Sequence, residues 1–316
     1  MSWNFALAAS RSGVPGYTPY DARDLYDAMQ KILGVLRARY DVQPTSVSFL
    51  GASLGALEGA YLSVIDEAEG KIGIQKYLLI NPPIDLEYAV ARIDGWAALT
   101  KKFGKEKAAL LRGKALSIVE PLSNERRDDP VIFERLVRDF SGFTTEEQQY
   151  LIAAAAEIAL PELIYVTQVL DDQHVLQAAP DEQRTRLEEA REVTLMDYIV
   201  KIAMPRWRLE DRAPRADLAE VSRRASLAAV VEDLRANPRV HILHNADDLL
   251  SERGQIEALK QTMGDRMTLY PYGGHLGNLW YFQNKNYLLT FFGRYLGTLM
   301  AAGSSAAGIA AVSEGR

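Results

Sequence analysis

Ser53 lies in the pentapeptide "GASLG", with a glycine two residues away on either side. The pattern G-x-S-x-G is typical of a strained strand-to-helix turn that exposes a nucleophilic serine. The segment "TSVSFLG" before it predicts a short buried strand, and "LGALEGAYLSVIDEA" after it predicts a helix. Gly51 and Gly55 are expected for steric reasons, because a Cβ at either position would collide with the tight turn. This context favours a nucleophile over a serine that only caps a helix in a glycine-rich turn.

A serine hydroxyl needs a base to take its proton, and the chain has four histidines. His275, in "YPYGGHLGN", directly follows the last predicted strand, where a loop at the sheet edge can reach Ser53. A histidine that caps the following helix would occupy the same place. His241 and His244 are three residues apart on one predicted strand, so they point to opposite faces and cannot form a metal pair. His174 lies in a helical region and is expected at its surface.

The base must be held in place by a third group, and two acids follow another predicted strand. Asp247 and Asp248 stand in "ILHNADDLLS", directly after "RVHILHN". A pair of acids in a loop is usually a solvated turn or a helix cap. Here the pair ends the strand that precedes the His275 strand, so the order along the chain is serine, aspartate, histidine. Either acid is a candidate for orienting His275.

The elements around these residues alternate between helix and strand. A helix is predicted over "DARDLYDAMQKILGVLRARY" with Asp21 as its N-cap, and "KYLLINPP" is predicted as a buried strand after the serine helix. The opening segment leaves room for one strand at most, which we expect at residues 3–9. Helix, strand, helix, strand in this order predicts an α/β fold with a mostly parallel sheet and crossover helices.

Residues 84–235 carry helical patterns alone, and the alternation resumes after them. This predicts a core formed by residues 1–83 and 236–300, an all-helical cap or lid over 84–235, and a flexible tail over 301–316, which is small and low in complexity. A cap inserted between the halves of a sheet is expected over the strand ends, where ligands bind in open α/β sheets.

Composition excludes several functional classes. A net charge of −6 without a long Lys/Arg run argues against a nucleic-acid partner, and the absence of cysteine excludes disulfides, a thiolate nucleophile and cysteine metal sites. The apolar stretch at 151–170 is interrupted by Glu157, Pro161 and Glu162, so we expect a largely buried helix and no membrane span. The start lacks the basic region of a secretory signal, which leaves the cytoplasm as the default location. No metal and no cofactor are expected.

Taken together, three motifs resemble those of the α/β-hydrolase superfamily, over most of the chain outside the helical region and the tail. "GASLG" resembles the nucleophile elbow, "HNADDLL" the acid turn that often reads HG-x-x-D, and "GGHLG" the histidine loop. The serine, acid, histidine order is also that of this superfamily. If Asn245 stands at the usual glycine of the acid turn, the resemblance places the acid at Asp248, with Asp247 as the alternative. "LLINPPIDL" resembles the segment that precedes the lid in lipases and esterases.

The start of the chain departs from this pattern. In the superfamily, the second donor of the oxyanion hole normally comes from a loop that precedes the elbow by several elements, and only 52 residues precede Ser53 here. The Leu54 amide is the only donor that the sequence identifies. We therefore expect that N-terminal strands are missing, that Met1 is an internal start, and that the natural reading frame extends upstream with two or three more strands and a glycine-containing loop.

The sequence thus predicts a serine hydrolase that cleaves a small-molecule carboxylic ester, with Ser53 as nucleophile, His275 as general base and Asp248 as the orienting acid. Apolar segments in the cap suggest a hydrophobic acyl group. A peptidase or amidase with the same triad fits equally well, and a noncatalytic hydrolase-like domain that binds a ligand through its cap is a further alternative.

Overall fold

The computed structural model describes residues 2–119, 138–139, 141–212, 215–280 and 282–293. Within these ranges the chain forms an α/β fold with a single four-stranded sheet. The predicted tail over 301–316 lies outside the described residues.

The four strands are all parallel, and their order across the sheet follows the chain. They are β1 (Ser48–Ala52), β2 (Lys76–Ile80), β3 (Val240–Asn245) and β4 (Met267–Tyr270). The prediction of a parallel sheet from alternating helices and strands is confirmed. Because all four strands run the same way, their carboxyl ends meet at one edge of the sheet.

The helices account for most of the remaining described chain. In chain order they are α1 (Trp3–Ala8), α2 (Thr18–Tyr40), α3 (Leu54–Glu69), α4 (Leu86–Ala97), α5 (Leu99–Val119), α6 (Thr145–Ala156), α7 (Leu160–Leu170), α8 (Gln183–Ala190), α9 (Leu195–Asp197), a π-helical segment (Tyr198–Ala203), α10 (Met204–Glu210), α11 (Leu218–Ala225), α12 (Val231–Ala236), α13 (Arg253–Met263) and α14 (Phe282–Phe292). Short 3₁₀ turns cover Leu227–Ala229, Gly264–Arg266 and Gly277–Trp280.

The predicted strand at residues 3–9 is wrong, because this segment forms helix α1. The hydroxyl of Ser2 accepts a hydrogen bond from the amide N–H of Phe5 and so caps the helix. Ala6 is buried with Leu163 and Ile164 of α7, so α1 packs on the helical region and does not extend the sheet. In the described part of the chain β1 is therefore an outer strand.

Both faces of the sheet are covered by helices over β2 and β3. One face packs against α2 and α3, and the other packs against α14 through Leu78, Ile80 and Leu243. Helix α3 approaches the sheet closely at Gly59, where an added Cβ would lie 2.2 Å from the Phe49 ring. This close approach fixes the start of α3, and with it Ser53, at the carboxyl edge of the sheet.

We expected Asp21 to be the N-cap of α2, but the structure places it inside the first helical turn. The helix begins at Thr18 after the N-cap Tyr17, because Pro19 favours the first helical turn. The Asp21 carboxylate lies in that turn and accepts the Gly16 N–H at 2.6 Å. Burial and the nearby Glu58 carboxyl raise the pKa of Asp21 well above its usual range.

The helical region contacts the carboxyl edge of the sheet. Leu250, two residues after Asp248, is buried in a cluster with Ala89 and Trp96 of α4 and Ala153 of α6. On the other side, the Tyr61 hydroxyl of α3 donates to backbone carbonyls at the end of α11. The helices that follow β2 are thus packed beside the residues that follow β3.

The apolar stretch Thr145–Leu170 forms two helices, α6 and α7, with a turn between them. In the described chain it is the one segment long and apolar enough to cross a membrane, a test that core helices of soluble proteins also pass. Only 33% of its most apolar window is buried, so the expectation of a largely buried helix is wrong. Each helix buries one side, and residues such as Ile158 and Val169 lie exposed.

Candidate active site

Ser53 occupies a sharp turn between β1 and α3. Its backbone has φ +54° and ψ −124°, a conformation that a residue with a side chain adopts only under strain. The Ser53 N–H donates to the Ile80 carbonyl at 2.9 Å, which continues the β1–β2 ladder by one bond. The turn therefore holds the serine rigidly at the end of the sheet.

The two glycines of the motif have different roles. A Cβ on Gly51 would lie 2.2 Å from the Gly55 carbonyl oxygen, so the expected steric requirement at Gly51 is confirmed. A Cβ on Gly55 would meet nothing within 4 Å, so the same expectation for Gly55 is wrong. Gly55 faces open space in the first turn of α3.

The structure brings Ser53, His275 and Asp248 together. The Ser53 Oγ lies 2.8 Å from His275 Nε2. His275 Nδ1 lies 3.0 Å from Asp248 Oδ2 and 3.1 Å from Oδ1. Because a carboxylate only accepts hydrogen bonds, the imidazole carries its proton on Nδ1, and Nε2 presents its lone pair to the serine hydroxyl.

The two neighbouring acids make different contacts. Asp248 is the acid that meets the imidazole, with its side chain 1% exposed. The Asp247 carboxylate accepts the backbone N–H groups of Gly274 at 2.8 Å and Gly273 at 3.2 Å. Asp247 therefore holds the loop that carries His275, while Asp248 orients the ring itself.

The electrostatic environment keeps Asp248 ionised. Burial raises the pKa of its carboxyl, but the hydrogen bond and charge of His275, the nearby His244 and the Leu250 N–H outweigh that effect. The pKa of Asp248 therefore lies below its usual range. An ionised carboxylate at this position stabilises an imidazolium on His275 when that ring takes a proton.

Two asparagines also lie at this site, and the sequence predicted the contacts of neither. Asn81 follows β2 and donates from Nδ2 to Asp248 Oδ2 at 2.8 Å. Asn245 ends β3 and donates from Nδ2 to the Gly274 carbonyl at 2.7 Å. The available signal was a polar residue directly after each of two buried runs, "LLIN" and "ILHN".

Of the other histidines, His244 comes nearest to the triad residues, with Nδ1 4.0 Å from Asp248 Oδ2. His241 packs against the Phe291 ring of α14, while His244 is fully buried with Nε2 3.3 Å from the Pro82 carbonyl oxygen. The two rings lie on opposite sides of β3, as expected. His174 is exposed in the helical region, also as expected. Among the described residues no group of three His, Asp or Glu side chains is arranged to hold a metal ion.

The Leu54 amide is the first N–H of α3, a helix of 16 residues. It donates to no other described residue, and the positive end of the helix dipole adds to its capacity to bind an oxyanion. We identify no second backbone donor for this position in the described part of the chain.

A narrow apolar cleft of about 20 Å³, enough for about one water molecule, lies among α4, α9, α10, α11 and the π-helical segment. It is lined mainly by the hydrophobic side chains Leu86, Met196, Ile199, Trp207 and Val221. Leu86 begins the first helix after β2, five residues beyond Asn81. The cleft thus belongs to the helices that follow the carboxyl edge of the sheet.

Comparison with known proteins adds no family to this description: the sequence matches no protein-family model and no curated protein. The geometry around Ser53 therefore carries the functional argument by itself.

Proposed function

We propose that this protein is a serine hydrolase that cleaves carboxylic esters, built on an α/β-hydrolase-like core. The observation that carries the proposal is the unbroken hydrogen-bonded chain from Ser53 through His275 to Asp248, with links of 2.8 and 3.0 Å. Such a chain is the geometry by which a neutral imidazole activates a serine hydroxyl. The strained backbone of Ser53 supports the same role.

In the proposed reaction the Ser53 Oγ attacks the ester carbonyl carbon while His275 Nε2 takes the hydroxyl proton. The Leu54 N–H donates to the oxygen that becomes negative. His275 then gives its proton to the leaving alkoxide, and water cleaves the acyl-enzyme by the reverse sequence of proton transfers. Asp248 stays ionised throughout and fixes the ring.

We further propose that the helical region over 84–235 acts as a lid and that the ester has an apolar acyl group. The packing of Leu250 against α4 and α6 beside the acid turn supports the lid. The hydrophobic side chains at this position in the helical region, with Trp207 and Ile199, support an apolar substrate part.

A noncatalytic binding domain is the second candidate. It is favoured by a single observation: in the described chain the Leu54 amide is the one oxyanion donor that we can place. Loss of one donor costs about 10²- to 10³-fold in kcat in a serine protease. The two candidates predict opposite outcomes for a reagent that reacts with activated serines.

Labelling with a fluorophosphonate tests the proposal. We expect covalent labelling at Ser53, located by mass spectrometry, together with hydrolysis of p-nitrophenyl esters. Ser53→Ala should abolish both. Ser63→Ala, which removes a buried hydroxyl that donates to Ala60, is the control that leaves labelling intact. Undiminished turnover in Ser53→Ala would reject the triad, and an unlabelled but folded wild-type protein would favour the binding domain.

A further inference from the structure

Asn81 is completely buried at the carboxyl end of β2, beside the acid of the triad. Its Nδ2 donates to Asp248 Oδ2 at 2.8 Å. Among the described residues only two side chains donate to this carboxylate, Asn81 and His275; the third donor is the backbone N–H of Leu250, at 3.0 Å. Because the ionised carboxylate has no proton to offer, the amide must present its NH₂ group to Asp248.

The backbone of Asn81 fixes the direction of this side chain. Its φ is +47°, in the left-handed region, where asparagine is tolerated better than most other residues with a side chain. The Asn81 N–H donates to the Leu243 carbonyl at 2.8 Å, which ties this conformation to β3. Unfavourable backbone conformations of this kind concentrate at functional sites.

Asn245 extends the contact toward the histidine loop. Its Nδ2 donates to the Gly274 carbonyl at 2.7 Å and lies 3.5 Å from Asn81 Oδ1. The two amides therefore connect Asp248 with the residue that precedes His275. One network of side chains holds both partners of the imidazole–carboxylate pair.

We propose that Asn81 is a positioning residue of the triad, which holds the Asp248 carboxylate in the orientation that accepts the His275 Nδ1–H. The proposal rests on the proposed hydrolase function. Asn81 acts through Asp248 and, by way of Asn245, through the histidine loop, and none of its contacts with the described residues reaches Ser53 Oγ or His275 Nε2. Its effect is therefore expected on kcat and on the imidazole, with substrate binding unchanged.

Two variants separate the amide from the backbone. Asn81→Gly suits the positive φ and removes only the side chain. Asn81→Asp keeps the shape but replaces the donor by an acceptor that faces Asp248. Asn237→Gly is the matched control, since Asn237 is also buried but lies before β3, at the opposite end of the sheet, where its side chain bonds the Arg239 N–H.

We expect Asn81→Gly to lower kcat for a p-nitrophenyl ester by about 10- to 100-fold, the range for losing a buried hydrogen bond to a charged group, with KM within about twofold. The far-downfield proton NMR signal of the His275 Nδ1–H should weaken or shift. Asn237→Gly should lower the melting temperature while kcat and this signal stay unchanged.

Asn81→Asp adds a readout that a purely structural role would not produce. Two carboxyls in hydrogen-bond contact share one proton, and the titratable side chains that act on Asp248 are His244 and His275. At low pH the new carboxyl is protonated and donates to Asp248 as the amide does; at high pH the two carboxylates repel each other. The activity of Asn81→Asp relative to wild type should therefore rise as pH falls, whereas that of Asn81→Gly should be independent of pH.

The outcomes are distinguishable from those of the function test. If Ser53→Ala abolishes turnover but Asn81→Gly keeps kcat within twofold and the His275 signal unchanged, the positioning role is wrong and the hydrolase function stands. If Asn81→Gly does not fold, a pH-independent activity ratio for Asn81→Asp overturns the role. If Ser53→Ala retains full turnover, the function fails, and the His275 signal alone decides whether Asn81 positions the pair.

Discussion

Asp247 and Asp248 are neighbours in the chain, yet their carboxylates accept hydrogen bonds from different groups. The Asp248 carboxylate faces an imidazole, and the Asp247 carboxylate faces two backbone amides of the loop that carries that imidazole. In the proposed reaction the first contact bears directly on proton transfer, and the second bears on the position of the loop. The two residues should therefore have separable effects on the proposed reaction.

At the residue scale we predict that Asp248→Asn lowers kcat by about 10⁴-fold, the loss observed when the orienting acid of a serine protease triad becomes an amide. Asp247→Asn keeps an oxygen that accepts one of the two glycine amides, so kcat should fall by less than about tenfold. Steady-state kinetics on a p-nitrophenyl ester measure both. A larger loss in Asp247→Asn than in Asp248→Asn would contradict these roles.

At the scale of elements, the turn between β1 and α3 depends on one glycine and tolerates change at the other. Gly51 lies under the Gly55 carbonyl with no space for a methyl group, whereas Gly55 opens into free space inside a helical turn. Glycine within a helix costs about 0.5–1 kcal/mol relative to alanine, and that cost is removed where a Cβ fits.

We therefore predict opposite effects of the same substitution at the two ends of this motif. Gly51→Ala should prevent folding or lower the melting temperature sharply, because its Cβ would meet backbone atoms that cannot move independently. Gly55→Ala should raise the free energy of unfolding by up to about 1 kcal/mol. Thermal and urea unfolding followed by circular dichroism measure both. Equal destabilisation by the two variants would show that the turn differs from this description.

Periodicity and chain order predicted the parallel strands, the helical region between β2 and β3, and His275 and the acid pair at strand ends. The motif around Ser53 and the resemblance of the acid turn then selected Ser53 and Asp248. These sequence signals failed where the deciding contacts are tertiary. Residues 3–8 form a short apolar segment, whose length and composition suit a strand or a helix, and packing on α7 decides for the helix. No sequence spacing marks Asn81 and Asn245, because their contacts with Asp248 and Gly274 form only when the parallel strands bring their ends together.

At the scale of the whole molecule, the outer edge of β1 is the least protected part of the sheet. Within the described residues no strand pairs with that edge, and Leu50 is 50% exposed. The strand, "SFLGA", has no charged residue and no proline, which are the features that usually keep edge strands from pairing with other molecules.

We predict that self-association of this chain increases with concentration and that Leu50→Lys reduces it. A charge on the edge strand opposes pairing between copies. Leu209→Lys is the control, since Leu209 is 74% exposed but lies on helix α10. Sedimentation velocity or light scattering over a concentration series measures the effect. Equal reductions by both variants would indicate general surface hydrophobicity and not the strand edge.

The position of the helical region between β2 and β3 also has a consequence for folding. Pairing β1 with β2 closes a loop of about 24 residues, from Ala52 to Lys76, whereas pairing β2 with β3 closes one of about 160, from Ile80 to Val240. The longer closure costs about 1.7 kcal/mol more in chain entropy. Ser53 therefore belongs to a unit that can form early, and its partners belong to one that docks late. During synthesis Ser53 emerges about 200 residues before Asp248 and His275, so the proposed triad cannot assemble until most of the chain has been made.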